Sequence, residues 1–201
     1  MKLLYLSSLL LTLLSINAYA QLPAYQHSVS IGFERVGLDA PDDIGNRYLG
    51  RYARHLAKNR LMVEAGLGYM SVLNRRNLPM NDYFVDGKRR KRVTGDLTLS
   101  FDFLKTLRHA FRIGVGPSLW YRKDQILDSG RFTIGSDGSI SNLQVKWHTE
   151  EQVNYGFNVL IEYEYAITKH LTLAPRVSFV SLERAGPSSI YGLNVGYRLL
   201  K

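Results

Sequence analysis

The stretch Val93-Thr94-Gly95-Asp96-Leu97-Thr98-Leu99-Ser100-Phe101-Asp102-Phe103 alternates apolar and polar residues with a period of two. Leucine and phenylalanine occupy its odd positions, whereas hydroxyl and carboxylate side chains occupy its even ones. Successive side chains of a β-strand point to opposite faces of the sheet. The stretch therefore predicts a strand with one apolar and one polar face, and its recurrence along the chain decides the fold.

Seven further segments repeat this alternation, and their apolar residues fall mostly on odd numbers. Together with the first segment they predict strands over residues 27–37, 47–56, 61–72, 93–103, 111–122, 153–165, 171–181 and 189–200. The second segment is the weakest, because Arg54 shares a face with Tyr48 and Tyr52. Eight strands of this kind predict an all-β, antiparallel, up-and-down barrel.

The connections between these strands alternate in length. Three are short turns, at residues 57–59, 104–110 and 166–170, and the connection at 182–188 is also short. The other three are long, at residues 38–46, 73–91 and 123–152. Within the longest, Asp137-Gly138 predicts a hairpin turn with arms at 131–134 and 139–145, which would extend the fifth and sixth strands. Short turns at one end and mostly long loops at the other are typical of outer-membrane barrels.

The first 20 residues have the features of a secretory signal peptide. Lys2 gives a positive start, an apolar run extends from Leu3 to Ile16, and Ala18-Tyr19-Ala20 fits the small-x-small cleavage pattern. The apolar run is shorter than the roughly 20 residues that a spanning helix needs. We therefore expect residues 1–20 to be removed and residues 21–201 to form one barrel domain that is exported to the cell outer membrane of a Gram-negative cell.

The alternation alone leaves open which way the apolar face points. In a soluble lipocalin-like barrel the apolar face lines a ligand cavity, whereas in a membrane barrel it faces lipid. Here the polar face is rich in small residues that suit a crowded interior, and tyrosines lie near the ends of the apolar faces, as in an aromatic girdle. These features favour a transmembrane β-barrel.

A membrane barrel places the polar-face charges inside. The predicted interior charge network is structural and comprises Glu34, Glu64, Asp96, Asp102, Arg112, Arg122, Glu162, Glu164, Arg176 and Arg198. Buried charges must be paired or solvated. The strand order makes Asp102 a neighbour of Arg112, and Glu162 a neighbour of Arg176. Eight strands leave an interior that side chains just fill, so we favour a salt-bridged plug over an open ion pathway.

The residues give little support for catalysis or for a cofactor. The five histidines are His27, His55, His109, His148 and His170, and His148-Thr149-Glu150-Glu151 lies on the predicted extracellular side. No motif of the lipid A deacylase kind accompanies them. Because the chain has no cysteine and no pair or loop with metal-ligand spacing, we expect no metal and no cofactor.

A basic cluster stands out in the second long loop. The cluster contains seven cations and only two aspartates. The cations are Arg75, Arg76, Lys88, Arg89, Arg90, Lys91 and Arg92. Nucleic-acid binding is the generic meaning of such a run, but an exported protein rarely meets nucleic acid. Either the cluster is simply a solvated loop, or it contacts lipopolysaccharide phosphates at the extracellular rim.

The signal peptide, the eight amphipathic strands, the alternating loops and the terminal Tyr197-Arg198-Leu199-Leu200-Lys201 resemble the small outer-membrane β-barrel family. That family includes OmpA-like transmembrane domains and the PorT-like barrels of Bacteroidetes. The resemblance implies a structural or loop-mediated interaction role, contact with outer-membrane lipid, insertion by the barrel-assembly machinery and a protein partner at the long loops. The alternatives are a small lipid A-modifying enzyme of the same fold and a soluble lipocalin-like carrier.

Overall fold

The computed structural model describes residues 25–38, 44–77, 84–104, 106, 108–138, 140–183 and 186–200. These residues form eight antiparallel strands in one closed barrel, with each strand paired to its neighbour along the chain and β1 paired to β8. The strands are β1 (Tyr25–Gly37), β2 (Ile44–Leu56), β3 (Leu61–Asn77), β4 (Phe84–Asp102), β5 (His109–Ile134), β6 (Ile140–Ala166), β7 (Leu171–Leu182) and β8 (Gly186–Leu200). The predicted fold class is confirmed.

The barrel is apolar outside and polar inside. Large apolar side chains project from the outer surface, and Ile31 and Leu67 are 72% and 67% exposed. Interior positions hold buried charges, and Arg112 is 1% exposed. A barrel in water would have the opposite arrangement, so the lipocalin-like alternative is wrong. Among the described residues, no helix is long and apolar enough to cross a membrane.

Three short turns, the first residues of β1 and the last residues of β8 share one end of the barrel. The turn after β2 has three consecutive residues with positive φ, namely Ala57, Lys58 and Asn59. In the turn after β4, the Thr106 hydroxyl donates to the carbonyl of His109 at 2.7 Å and accepts from its amide at 3.0 Å. We call this end, with residues 57–60, the described part of 103–108, and 167–170, the short-turn rim.

The strands at the opposite end are longer than the sequence predicts. β3 and β4 run to Asn77 and from Phe84, and β5 and β6 continue as a two-stranded hairpin as far as Ile134 and Ile140. Gly138 adopts a φ of 77° in the connecting turn, which confirms the predicted Asp137-Gly138 hairpin. The prediction of a long loop at 73–91 is wrong for most of its residues, because consecutive charged residues conceal the alternation of a strand.

The interior is not uniformly polar. Near the long-loop end lies an apolar cluster formed by Val36, Met70, Val72, Trp120, Val180, Leu182 and Ile190. These residues occupy inward positions that the sequence analysis assigned to the polar face or to loops. Inward positions near this end therefore hold apolar as well as charged side chains.

Candidate functional site

Ten interior side chains form a continuous series in which acids and arginines alternate. A salt bridge joins each member to the next. We call this series the interior ion-pair chain, and in order it comprises Arg198, Glu164, Arg112, Glu162, Arg176, Glu64, Arg51, Glu34, Arg47 and Asp96. Its five acids and five arginines balance, so the chain carries no net formal charge.

The part of the chain near the short-turn rim is centred on Arg112. Its Nη1 atom lies 2.9 Å from Glu162 Oε1 and 3.0 Å from Glu164 Oε2. Glu164 also accepts a hydrogen bond from Arg198 on β8. One guanidinium therefore bridges two carboxylates of β6, and the second carboxylate continues to the last strand.

The middle of the chain crosses the barrel. Arg176 on β7 donates to Glu64 on β3, with 2.5 Å between Nη1 and Oε1, and the same Nη1 lies 3.6 Å from Glu162 Oε2. Strands β3 and β7 are not neighbours in the sheet. The contact therefore crosses the lumen, where the sequence predicts a salt-bridged plug.

The far part of the chain is centred on Glu34. Its carboxylate accepts from Arg51 and from Arg47, and Arg47 Nη2 lies 2.6 Å from Glu34 Oε2. Arg47 Nη1 then reaches Asp96 Oδ2 at 3.0 Å, and Asp96 Oδ1 accepts from the Ser118 hydroxyl at 2.6 Å. A buried carboxylate between two arginines is neutralised where it stands.

Arg47 and Arg51 are not among the interior charges that the sequence predicts. Their strand was the weakest of the eight, because Arg54 lies among its apolar residues. In the structure Arg54 points outward with Tyr48 and Tyr52, which gives β2 the facing that its sequence had left open. Reading the other face of the same strand would have identified both arginines as interior residues.

Two predicted members of the network are inside the barrel but outside the ion-pair chain. Asp102 pairs with Arg112 in the strand register, as predicted, yet its carboxylate accepts hydrogen bonds from the amides of Leu104 and Phe111, both at 3.0 Å. Asp102 thus holds the turn after β4. Arg122 donates to Gln152 at 2.8 Å and lies 3.7 Å from Asp124. The predicted contact between Glu162 and Arg176 is present.

Trp120 separates the ion-pair chain from further charges near the long loops. The guanidinium carbons of Arg47 and Arg92 lie 6.0 Å and 5.8 Å from the centre of its indole ring. A cation over an aromatic face is attracted by the ring quadrupole. Arg92, Arg90 and Asp124 are all buried, so the polar interior continues past the indole to the end of the barrel wall.

The space beside the ion-pair chain is small. A polar cavity near Glu64, Arg112 and Asn194 has a volume of about 20 Å³, close to what one water molecule requires. Ser28, which also lines it, has its hydroxyl 2.9 Å from Nε2 of His55. This serine and histidine have the spacing of a nucleophile and a base, but the cavity has no room for a lipid or a peptide.

Alternation along β4 divides the predicted basic cluster between two surfaces. Arg89 and Lys91 point outward, whereas Arg90 and Arg92 are buried inside the barrel. Arg90 and Arg92 therefore do not face lipopolysaccharide outside the barrel. Arg75, Arg76 and Lys88 have side chains outside the described part of the structure.

The outward members belong to a cationic row above an aromatic girdle. Lys91 pairs in register with Lys123 of β5, and Arg89 pairs with Gln125. Two residues nearer the short-turn rim along these strands, Val93 and Tyr121 are paired and point outward. We call Arg89, Lys91 and Lys123 the outer basic row. It lies on the long-loop side of the outward-facing Val93 and Tyr121.

Glu151 offsets part of this positive charge. Lys123 Nζ lies 2.6 Å from Glu151 Oε1. The hydrogen bond with Lys123 lowers the pKa of the Glu151 carboxyl, and the same bond raises the pKa of the Lys123 amine. Both groups are therefore ionised at neutral pH, and Lys91 faces an ion pair rather than a bare like charge.

Among the described contacts, none places His148 beside a nucleophilic side chain. Its Nε2 atom lies 3.2 Å from Glu150 Oε1, and both side chains are about half exposed on β6. Within the described ranges, no cluster of three or more His, Cys, Asp or Glu side chains is arranged to hold a metal ion.

Comparison with solved structures identifies barrels of the same fold. A major outer membrane protein from Thermus thermophilus has a TM-score of 0.58 at 10% identity, over 86% of this chain and 99% of that one. The Yersinia pestis attachment invasion locus protein Ail, in complex with the heparin analogue sucrose octasulfate, has a TM-score of 0.54 at 14% identity, over 87% and 99%. Neisserial surface protein A has a TM-score of 0.52 at 13% identity, over 88% and 97%. No protein-family model and no curated protein sequence matches the chain.

Proposed function

We propose that this chain, which has the fold of small outer-membrane barrels, spans the outer membrane as a closed, non-catalytic barrel that acts through its long-loop end. The observation that carries the proposal is the inversion of polarity, with an apolar exterior around the interior ion-pair chain. Lipid offers no hydrogen bonds, so a spanning sheet must close on itself, as this one does. The short-turn rim then faces the periplasm.

The interior supports a structural role rather than conduction. Removing one partner from a buried ion pair leaves an uncompensated charge, so the members of the chain hold one another in place. Because Arg176 and Glu64 meet across the lumen, a conducting state would have to break that contact. Three further points stay predictions. They are membership of the PorT-like barrels, removal of residues 1–20 and insertion by the barrel-assembly machinery.

A fractionation experiment tests membrane residence. We expect the protein to partition with outer membranes, to need detergent for extraction, and to migrate differently on a gel before and after boiling, because a closed hydrogen-bonded barrel resists unfolding in detergent. The measurement is the band shift of the extracted protein. A species that stays soluble and monomeric without detergent would contradict the proposal.

We further propose that the outer basic row contacts lipopolysaccharide phosphates. Arg89, Lys91 and Lys123 stand directly above the girdle, at the depth of headgroup phosphates. The Ail barrel, which shares the fold, has been crystallised with the polyanion sucrose octasulfate. By analogy, a phosphorylated sugar is a ligand of suitable charge for the outer basic row. A protein partner at the β5–β6 hairpin is a second interaction that the exposed Phe132, Leu143 and Trp147 side chains favour.

Alternation along β4 provides a matched test of this contact. The double variant Arg89→Gln/Lys91→Gln is expected to weaken binding to lipopolysaccharide about tenfold or more, since each cation near an anionic surface contributes about 1 kcal/mol. The control is Arg90→Gln/Arg92→Gln, which removes the same charge from the inside of the same strand. Binding is measured by titration of lipopolysaccharide onto folded barrels in detergent. Equal binding by the first variant and the unmodified protein would refute the contact.

A further inference from the structure

The short-turn rim is cationic. Its exposed or half-exposed cations are Lys58, Arg60, Arg108 and Lys169, and the exposed Arg54 lies beside it near the end of β2. Within the described part of this rim, no carboxylate side chain is exposed, because Asp102 and Glu164 point inside and are 5% and 8% exposed. At the long-loop end, by contrast, exposed acids lie among the bases, as Glu150, Glu151 and Glu183 show.

The cations of this rim lie at the depth of an aromatic girdle. The guanidinium carbon of Arg108 is 5.5 Å from the centre of the Tyr165 ring, and its Nη2 atom donates to the Tyr165 hydroxyl at 3.0 Å. The guanidinium carbon of Arg60 is 6.0 Å from the centre of the Phe101 ring. Long cationic side chains that cover an aromatic ring carry their charge toward the headgroups.

Histidines are stacked into the same girdle. His27 stacks on Tyr52 with ring centres 5.8 Å apart, and His170 stacks on Tyr197 at 5.3 Å. The Tyr52 hydroxyl and His27 Nδ1 are 2.7 Å apart. These pairs bring histidine and tyrosine rings together at the same end of the barrel as the cations.

From this arrangement we propose that the short-turn rim binds anionic glycerophospholipid headgroups of the adjacent leaflet. The proposal rests on the proposed membrane-spanning function. Each of the three short turns supplies at least one cation, so the surface is a ring around the barrel and not a single pocket. A ring of cations with no exposed carboxylate side chain among the described residues of the rim matches a layer of phosphodiesters.

The absence of cysteine from the chain allows the test to be made locally. A single Gln26→Cys substitution puts a fluorophore at the short-turn rim, and a single Asn46→Cys substitution puts one near the opposite girdle; both positions are exposed. The full barrel is placed in nanodiscs of phosphatidylcholine with a minor fraction of phosphatidylglycerol. Quenching by nitroxide-labelled phosphatidylglycerol is divided by quenching by identically labelled phosphatidylcholine.

We expect a quenching ratio of roughly three to five at the Gln26→Cys label, because a cation at an anionic surface strengthens association about fivefold. The variant Arg54→Gln/Lys58→Gln/Arg108→Gln/Lys169→Gln should lower the ratio to about one there and leave the Asn46→Cys label unchanged. Arg60 is retained because it donates to the carbonyl of Asp102 at 3.3 Å. A variant with Arg and Lys exchanged at the same four positions should keep the ratio of the unmodified barrel.

Three outcomes overturn the inference. The first is a ratio near one in the unmodified barrel, and the second is a ratio that the four substitutions do not change. The third is loss of the enrichment when inorganic phosphate replaces chloride at equal ionic strength, which would indicate a site for free phosphate. Failure of the barrel to enter nanodiscs at all would instead refute the membrane-spanning function.

Discussion

Replacement of Glu34 by alanine is expected to lower the free energy of unfolding by about 3–5 kcal/mol. Glu34 is fully buried and forms salt bridges with two buried guanidiniums, those of Arg47 and Arg51. Removing its carboxylate leaves both arginines with less compensation in a site that water does not reach. The measurement is denaturant unfolding of the barrel in detergent or bilayers, followed by circular dichroism and by the gel shift.

The neighbouring residue supplies a matched control. Arg35 follows Glu34 in β1 but points outward and is exposed, so Arg35→Ala should change the free energy of unfolding by about 0.5 kcal/mol or less. Glu34→Gln keeps the shape of the side chain and removes its charge, so it separates packing from electrostatics. A loss below about 1 kcal/mol in Glu34→Ala would show that the ion-pair chain does not stabilise the barrel.

An arginine placed on the apolar outer surface of the barrel should lower the free energy of unfolding about as much as the Glu34→Ala substitution in the interior. Val115 lies in the part of β5 that belongs to the barrel wall and is 55% exposed, between Leu99 and Val159 on the neighbouring strands. In water, Val115→Arg would be nearly neutral. In a bilayer the same substitution should cost about 2–4 kcal/mol, because the charge enters hydrocarbon.

The same strand contains the comparison position. Ile134 is 48% exposed at the end of the β5–β6 hairpin, beyond the girdle. Ile134→Arg should therefore leave stability and insertion unchanged within about 0.5 kcal/mol. Reversible folding of both variants into lipid vesicles gives the two free energies. Equal effects at Val115 and Ile134 would mean that the belt does not face lipid.

The sequence was sufficient for the fold because polarity alternates in register with the pleat. The stretch from Val93 to Asp102 predicts its own strand, its two faces and the inward position of Asp96 and Asp102 without any tertiary information. The strand over 84–92 could not be predicted in this way, because Arg89, Arg90, Lys91 and Arg92 follow one another. Four cations in succession give no binary signal, although two point outward and two lie inside.

The partners inside the barrel could be predicted only in part. Strand order alone places Glu162 beside Arg176, because neighbouring strands fix neighbouring residues. The contact between Arg176 and Glu64 joins residues 112 positions apart on strands that are not adjacent. Such a contact depends on the diameter of the barrel and on side-chain length, which a pattern of period two does not encode.

The interior ion-pair chain has a consequence for the order of assembly. Within the chain, β1–β4 contribute three acids and two arginines, and β5–β8 contribute three arginines and two acids. The N-terminal half of the barrel thus keeps one net negative charge and the C-terminal half one net positive charge. The salt bridge between Arg176 and Glu64 joins the two halves. A half-inserted intermediate would hold that charge in hydrocarbon. The N-terminal half is therefore expected to wait at the membrane surface until the C-terminal half arrives, so that the two enter as one cooperative unit.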